Sequence, residues 1–146
     1  MFQGSMQADF EAAFRRMREE LTTLGVKELT TPPAVDAELK DHKGTTLLFI
    51  NSVCGCAAGG ARPGLAMALK NSKAKPQKMV TVFAGQDKEA TVKARAYFPE
   101  IPPSSPSAAL FKDGKVVAFV PRQHIEGRLP AQVAAEFQQI FEQHCS

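Results

Sequence analysis

The sequence predicts an α/β domain in which a mixed central β-sheet carries helices on both faces. Three observations predict it. Two short and almost unalternated apolar runs, Thr45–Ile50 and Met79–Phe83, flank a helix-compatible segment, and such runs suit strands covered on both faces. Two further strand-like runs, Ser107–Phe111 and Val116–Val120, meet at Asp113-Gly114, a strong short-range hairpin signal. Helical periodicity marks both ends of the chain. The strand–helix–strand half implies parallel pairing through a right-handed crossover, and the hairpin half adds antiparallel strands.

The elements follow in order. Asp9 can cap a helix whose apolar face is Phe10, Ala13, Phe14, Met17, Leu21 and Leu24, ending at Gly25. Thr31 before Pro32-Pro33 reads as a second helix start, because proline is tolerated in the first turn. That helix runs through Val35 and Leu39 and stops near Gly44. After the Thr45–Ile50 strand, Ala57 to Lys70 is helix-compatible, with Gly59, Gly60 and Pro63 weakening or kinking its start. Asp87 to Tyr97 suits another helix. The last helix spans about Pro130 to His144, with Val133, Phe137, Ile140 and Phe141 as its apolar stripe. This order of elements is the thioredoxin-like arrangement.

Composition bounds the function. The 146 residues suit one domain, and 44% apolar with 23% charged residues is ordinary for a globular chain. A net charge of +3 with scattered basic residues gives no footprint for nucleic acid. Lys70, Lys73, Lys75 and Lys78 cluster around Asn71, Ser72 and Pro76, which reads as a solvated loop. Met1–Ser5 looks like an expression-tag remnant, leaving 6–146 as the single thioredoxin-like domain. Neither a signal peptide nor a run long enough to span a membrane is apparent, so the expected setting is cytoplasmic.

The chemistry is expected at Cys54-Gly55-Cys56. Three cysteines in all, Cys54, Cys56 and Cys145, are too few and too odd for a disulfide framework. In a reducing compartment, cysteines two apart are catalytic, redox-sensing or metal-binding. Cys54 stands at the carboxyl end of a central strand and just before a helix. Active sites of open α/β sheets gather at that end. The unpaired N–H groups of a helix start favour thiolate over thiol. Cys54 is therefore the expected nucleophile and Cys56, less exposed, the resolving thiol that releases a trapped mixed disulfide. Bridging requires the backbone to fold at residue 55, and glycine supplies the dihedrals. The small ring should be strained and readily reduced.

Other readings of these residues stand beside this one. The pair could be buried small hydrophobes, or two ligands of a metal or redox-sensing module, although zinc usually takes four ligands. Pro106, in Ser104-Ser105-Pro106-Ser107 before the third strand, is a candidate cis-proline in a loop facing the cysteines. Cys145 is either an inert terminal thiol or a mobile one that reaches the active site or another subunit. The three histidines have no paired acid or thiol in sequence, and Arg62 reads as solvated, with binding of an acidic thiol substrate as its alternative. No GxGxxG or phosphate loop is present, so no organic cofactor is expected and electrons must arrive through another thiol.

Several strings are recognisable. Asn51-Ser52-Val53-Cys54-Gly55-Cys56-Ala57-Ala58-Gly59 with Ala61-Arg62-Pro63 resembles the bacilliredoxin family. So do Thr81–Thr91, Pro103–Ser107 and Pro121-Arg122 with Ile125-Glu126-Gly127. The resemblance implies a thioredoxin-like fold and removal of bacillithiol, a low-molecular-weight thiol, from mixed disulfides on client proteins. It implies Cys54 as nucleophile, Cys56 as resolving cysteine and Pro106 as the cis-proline. From the residues alone the reading stops at a dithiol oxidoreductase. A weak disulfide isomerase or reductase acting on proteins is the alternative enzyme. Clients, electron donor and oligomeric state are not encoded legibly.

Overall fold

The computed structural model describes the backbone of residues 2–145 and the side chains of residues 6–145. The reading of Met1–Ser5 as a tag remnant concerns residues whose side chains lie outside that description. Five strands form one sheet in the order β1-β3-β2-β4-β5, with β1 at Lys27–Glu28, β2 at Thr45–Asn51, β3 at Lys78–Phe83, β4 at Ser107–Lys112 and β5 at Lys115–Val120. β1 and β2 both pair parallel with β3, and β4 runs antiparallel to β2 and β5. The mixed sheet with helices on both faces is the fold that the sequence predicts.

β2 lies in the middle of the sheet, and all seven of its residues are buried. Its side chains alternate between two cores, as a strand with a period of two must. Leu47 and Phe49 face Leu65 and Ala68 of α3 (Arg62–Asn71) and Val133, Phe137 and Phe141 of α5 (Pro130–His144). Leu48 and Ile50 face Val35 and Leu39 of α2 (Pro32–Leu39) and Ala90 and Ala94 of α4 (Lys88–Arg95). α1, Phe2–Thr22, joins the first core through Leu21.

Local chemistry explains most boundaries. Thr31 caps α2 by accepting the Ala34 N–H at 3.3 Å, with prolines in the first turn. Asp113 and Gly114 both take positive φ, 52° and 83°, as a two-residue hairpin turn demands. Asp113 also ties that tip to the start of β2. Its carboxylate accepts the Gly44 N–H at 2.7 Å, and its own N–H reaches the Gly44 carbonyl at 2.9 Å.

Four expectations need correcting. α1 begins at Phe2, so Asp9 lies inside the helix and caps nothing. Phe10, placed on the apolar face, is 57% exposed. α2 stops at Leu39 rather than near Gly44, because Lys40 turns to extended backbone. β1 was not anticipated, since two residues, Lys27 and Glu28, carry no periodicity.

α3 and α5 approach closely at Gly64, where a β-carbon would lie 2.6 Å from a Val133 methyl and 3.2 Å from the Pro130 carbonyl oxygen. Gly64→Ala is therefore expected to destabilise the fold by about 1–3 kcal/mol in urea unfolding, the usual cost of overpacking. Pairing it with Val133→Ala should remove most of the steric part of that penalty.

Candidate active site

The sheet topology gathers three loops at one end. Cys54 follows the last residue of β2, Asn51, by three positions. Pro106 immediately precedes β4, whose first residue Ser107 pairs with Ile50. β5 runs in the same direction as β2 through two antiparallel steps, so the chain leaving Val120 emerges at that end too, with Val120 opposite Ala108. The Ser105–Pro106 peptide is cis and Pro106 is buried.

A buried polar cluster sets the exit from β2. Arg62 is 2% exposed. Its Nη1 donates to Asn51 Oδ1 and to the Ser52 carbonyl, each at 2.9 Å. Its Nε lies 3.2 Å from the Glu20 carboxylate of α1, an ion-pair contact out of line for a hydrogen bond. Asn51 Oδ1 also accepts the Ser52 N–H at 2.9 Å, and Ser52 Oγ accepts the Cys54 N–H at 3.1 Å. Arg62 is therefore the clamp beneath the motif and not the solvated side chain its place in the sequence suggests. Its partners lie 10, 11 and 42 residues away in sequence, and only the fold brings them together.

The two sulfurs are 2.7 Å apart, close enough for one thiol to donate its proton toward the other. Cys54 opens a helical turn: its carbonyl accepts the N–H groups of Ala57 and Ala58 at 3.0 and 3.3 Å. Its Sγ accepts the Cys56 N–H at 3.4 Å, which makes the sulfur a side-chain cap for the helix start. A π-helical turn over Ala57–Ala61 follows and passes into α3, where Gly59, Gly60 and Pro63 forecast a distorted start. Such turns are frequent at functional sites.

These contacts divide the acidity of the pair. Cys54 is held below the ordinary thiol range, first by the hydrogen bond from the Cys56 side chain and then by the Cys56 backbone N–H. The Arg122 guanidinium and the Ala57 N–H add to this, against some desolvation. Cys56 is pushed up, first by desolvation and then by the neighbouring Cys54. Both cysteines are half-buried, and Cys56 rests against the α3/α5 core. Nucleophilic attack needs the thiolate, and these contacts favour that form at Cys54 over Cys56.

Gly55 differs from expectation. Its φ is not positive, and a β-carbon there would meet nothing within 4 Å. The backbone does fold at residue 55, but in a helical conformation open to any residue. Gly55 itself is exposed.

Arg122 is the residue that sequence reasoning missed as chemistry. Its backbone N–H donates to Ser104 Oγ at 3.4 Å, its Nη1 to the Ser105 carbonyl at 3.4 Å, and its Nε to Glu126 at 3.2 Å. The antiparallel hairpin is the signal that could have found it, because the end of β5 must return to the end of β2. Cys145 lies at the opposite end of the sheet, beside Thr45 and Lys112. The seven residues of β2 separate it from Cys54, roughly 23 Å at 3.3 Å per residue. Burial raises its thiol above the ordinary range. His124 pairs with Glu136 at 2.8 Å and His42 with the Ala37 carbonyl at 3.1 Å. Among the described residues, no group of three or more His, Cys, Asp or Glu is placed to hold a metal ion, and no helix is long and apolar enough to cross a membrane.

The hydrogen bond from Cys56 leads the causes of Cys54 acidity. Cys56→Ala should therefore move the pH midpoint of Cys54 alkylation upward and slow alkylation at neutral pH. Mass spectrometry that locates the adduct against pH checks it. An unchanged midpoint would assign the acidity to the helix start and Arg122 alone.

A family model described as "Disulphide isomerase" matches residues 10–145. A bacilliredoxin of Bacillus cereus is 56% identical over 131 residues, 90% of this chain and 90% of its own length. One of Symbiobacterium thermophilum is 58% identical over 125 residues, 86% and 88% of the two chains. Among solved structures, Fasciola hepatica thioredoxin superposes with a TM-score of 0.56 at 17% identity, covering 82% of this chain and 99% of that one. Oxidised Plasmodium falciparum thioredoxin gives 0.54 at 18% identity, over 83% and 99%. These likenesses show the thioredoxin fold. The chain is a thioredoxin-fold thiol–disulfide oxidoreductase belonging to the bacilliredoxin family.

Proposed function

We propose that this protein reduces mixed disulfides between bacillithiol and the cysteines of cytoplasmic proteins. The observation that carries the reading is the divided acidity of two sulfurs 2.7 Å apart. An acidic outer thiol attacks, and a less acidic neighbour keeps its proton until it is needed. The resemblance of the motif strings and the bacilliredoxin relatives support bacillithiol as the thiol concerned.

The reaction follows in two displacements. The Cys54 thiolate attacks the bacillithiol sulfur of the modified protein. A sulfur–sulfur bond forms to Cys54, the original disulfide breaks, and the client leaves as thiolate and takes up a proton. Cys56 then loses its proton and attacks Cys54 Sγ. Bacillithiol departs as thiolate and is protonated. The client and bacillithiol are reduced, and the Cys54–Cys56 pair is oxidised. Two thiol equivalents, from two small thiols or one dithiol, must return the two electrons. Proximity makes the second step unimolecular. Such a cycle belongs in a reducing compartment.

The family description favours a second reading, disulfide isomerisation on protein substrates. In it Cys54 attacks a protein disulfide: one client sulfur bonds to Cys54 and the other leaves as thiolate, and a client thiolate then attacks the sulfur on Cys54, so that Cys54 departs as thiolate and a rearranged client disulfide remains.

The test is release of bacillithiol from a bacillithiolated protein, followed by mass spectrometry. Wild type is expected to release the client thiol. Cys54→Ala should lose at least a hundredfold in rate, because the remaining thiol is the less acidic one. Cys56→Ala should still free the client and accumulate one bacillithiol on Cys54. No release by wild type, or full release by Cys54→Ala, contradicts the proposal, and a client–Cys54 adduct favours the isomerase reading.

A further inference from the structure

We infer that Arg122 selects the small-thiol half of the mixed disulfide by pairing with a carboxylate on it. The inference rests on the reductase reading above and names a chemical requirement of that substrate and the residue that imposes it. It stands on placement. Arg122 leaves the end of β5 two residues after Val120 and is bound to Ser104 and Ser105, the two residues before cis-Pro106. Arg95 of α4 holds the same loop, donating to the Ser104 carbonyl at 3.0 Å. The loop is thus fixed by two arginines, of which Arg122 is the one whose charge acts on both sulfurs. Its contacts use Nε and Nη1, with Nη2 taking part in none of them, and the side chain is 41% exposed.

The course of the reaction gives that cation a second task. When Cys54 is ionised, the Arg122 charge acts favourably on its thiolate. When Cys54 Sγ bonds to the substrate sulfur, the negative charge leaves on the client thiolate, and Arg122 is left beside a neutral disulfide. A carboxylate carried by the small thiol restores the pairing, and the planar guanidinium suits a carboxylate better than a point charge does. The same pairing decides which of the two substrate sulfurs Cys54 attacks: the one attached to the anion. Glu126 holds Nε from the far side and is 62% exposed, so it steadies the fork without filling it.

The test uses one reporter peptide thiol in three mixed disulfides: with mercaptopropionate (a carboxylate), mercaptoethanol (neutral) and cysteamine (an ammonium). The readout is the ratio of kcat/KM for the carboxylate over the ammonium substrate. Any change in the thiolate fraction of Cys54 is common to all three and cancels in that ratio. Arg122→Gln is expected to lower the ratio by roughly three- to tenfold, the size of one part-exposed charged hydrogen bond. Arg122→Lys should fall between the two, and Lys115→Gln, at the other end of the sheet, should match wild type. If Arg122→Gln slows all three substrates equally and leaves the ratio unchanged, Arg122 only tunes the thiolate and the inference is overturned. If wild type reduces none of the three but releases bacillithiol from a bacillithiolated protein, the inference alone is overturned, and if it does neither, the reductase reading fails and takes the inference with it.

Discussion

The site depends first on the buried guanidinium of Arg62. It ties three elements to one point: α1 through Glu20, the end of β2 through Asn51 and Ser52, and α3 through its own backbone. A buried cation is costly without partners, and here two neutral acceptors and one half-exposed carboxylate supply them. The result is a fixed exit from the central strand. Ser52, held at its carbonyl by Arg62, receives the Cys54 N–H on its hydroxyl. The position of Cys54 is therefore inherited from a cluster of Arg62, Asn51, Ser52 and Glu20.

The chemistry is then divided by small local differences. Both cysteines share one turn, yet one sulfur accepts a backbone N–H and the proton of its neighbour, while the other rests against the core. Hydrogen bonds to the charged form lower a thiol's pKa, and desolvation raises it. Two residues apart in sequence, the thiols acquire opposite shifts. The parallel run of β2 and β5 adds a cation from a distant part of the chain, and the cis-Pro106 loop supplies the platform on which that cation is mounted.

Much of this was legible in the sequence because it is local. The β2 run, the Asp113-Gly114 turn, the Thr31 cap and the stripe of α5 each state their structure within a few residues. The motif announced itself by standing at a strand-to-helix junction. What was illegible is long-range. Arg62 looked solvated because Glu20 and Asn51 meet it only in the folded chain. Arg122 lay inside a recognisable string, but its meaning required the sheet order. Gly55 suggests dihedral freedom in the sequence, whereas the backbone is helical there and a β-carbon would meet nothing within 4 Å. β1 is held by pairing with β3 and has no pattern of its own.

The central claim is that Cys54 and Cys56 titrate apart, with Cys54 the more acidic. The most direct measurement is an NMR pH titration of the reduced protein with both cysteines labelled at Cβ. Two separated transitions are predicted, Cys54 below the ordinary thiol range of about 8.5 and Cys56 above it. Reversed order, or two coincident transitions near the ordinary value, would contradict the account.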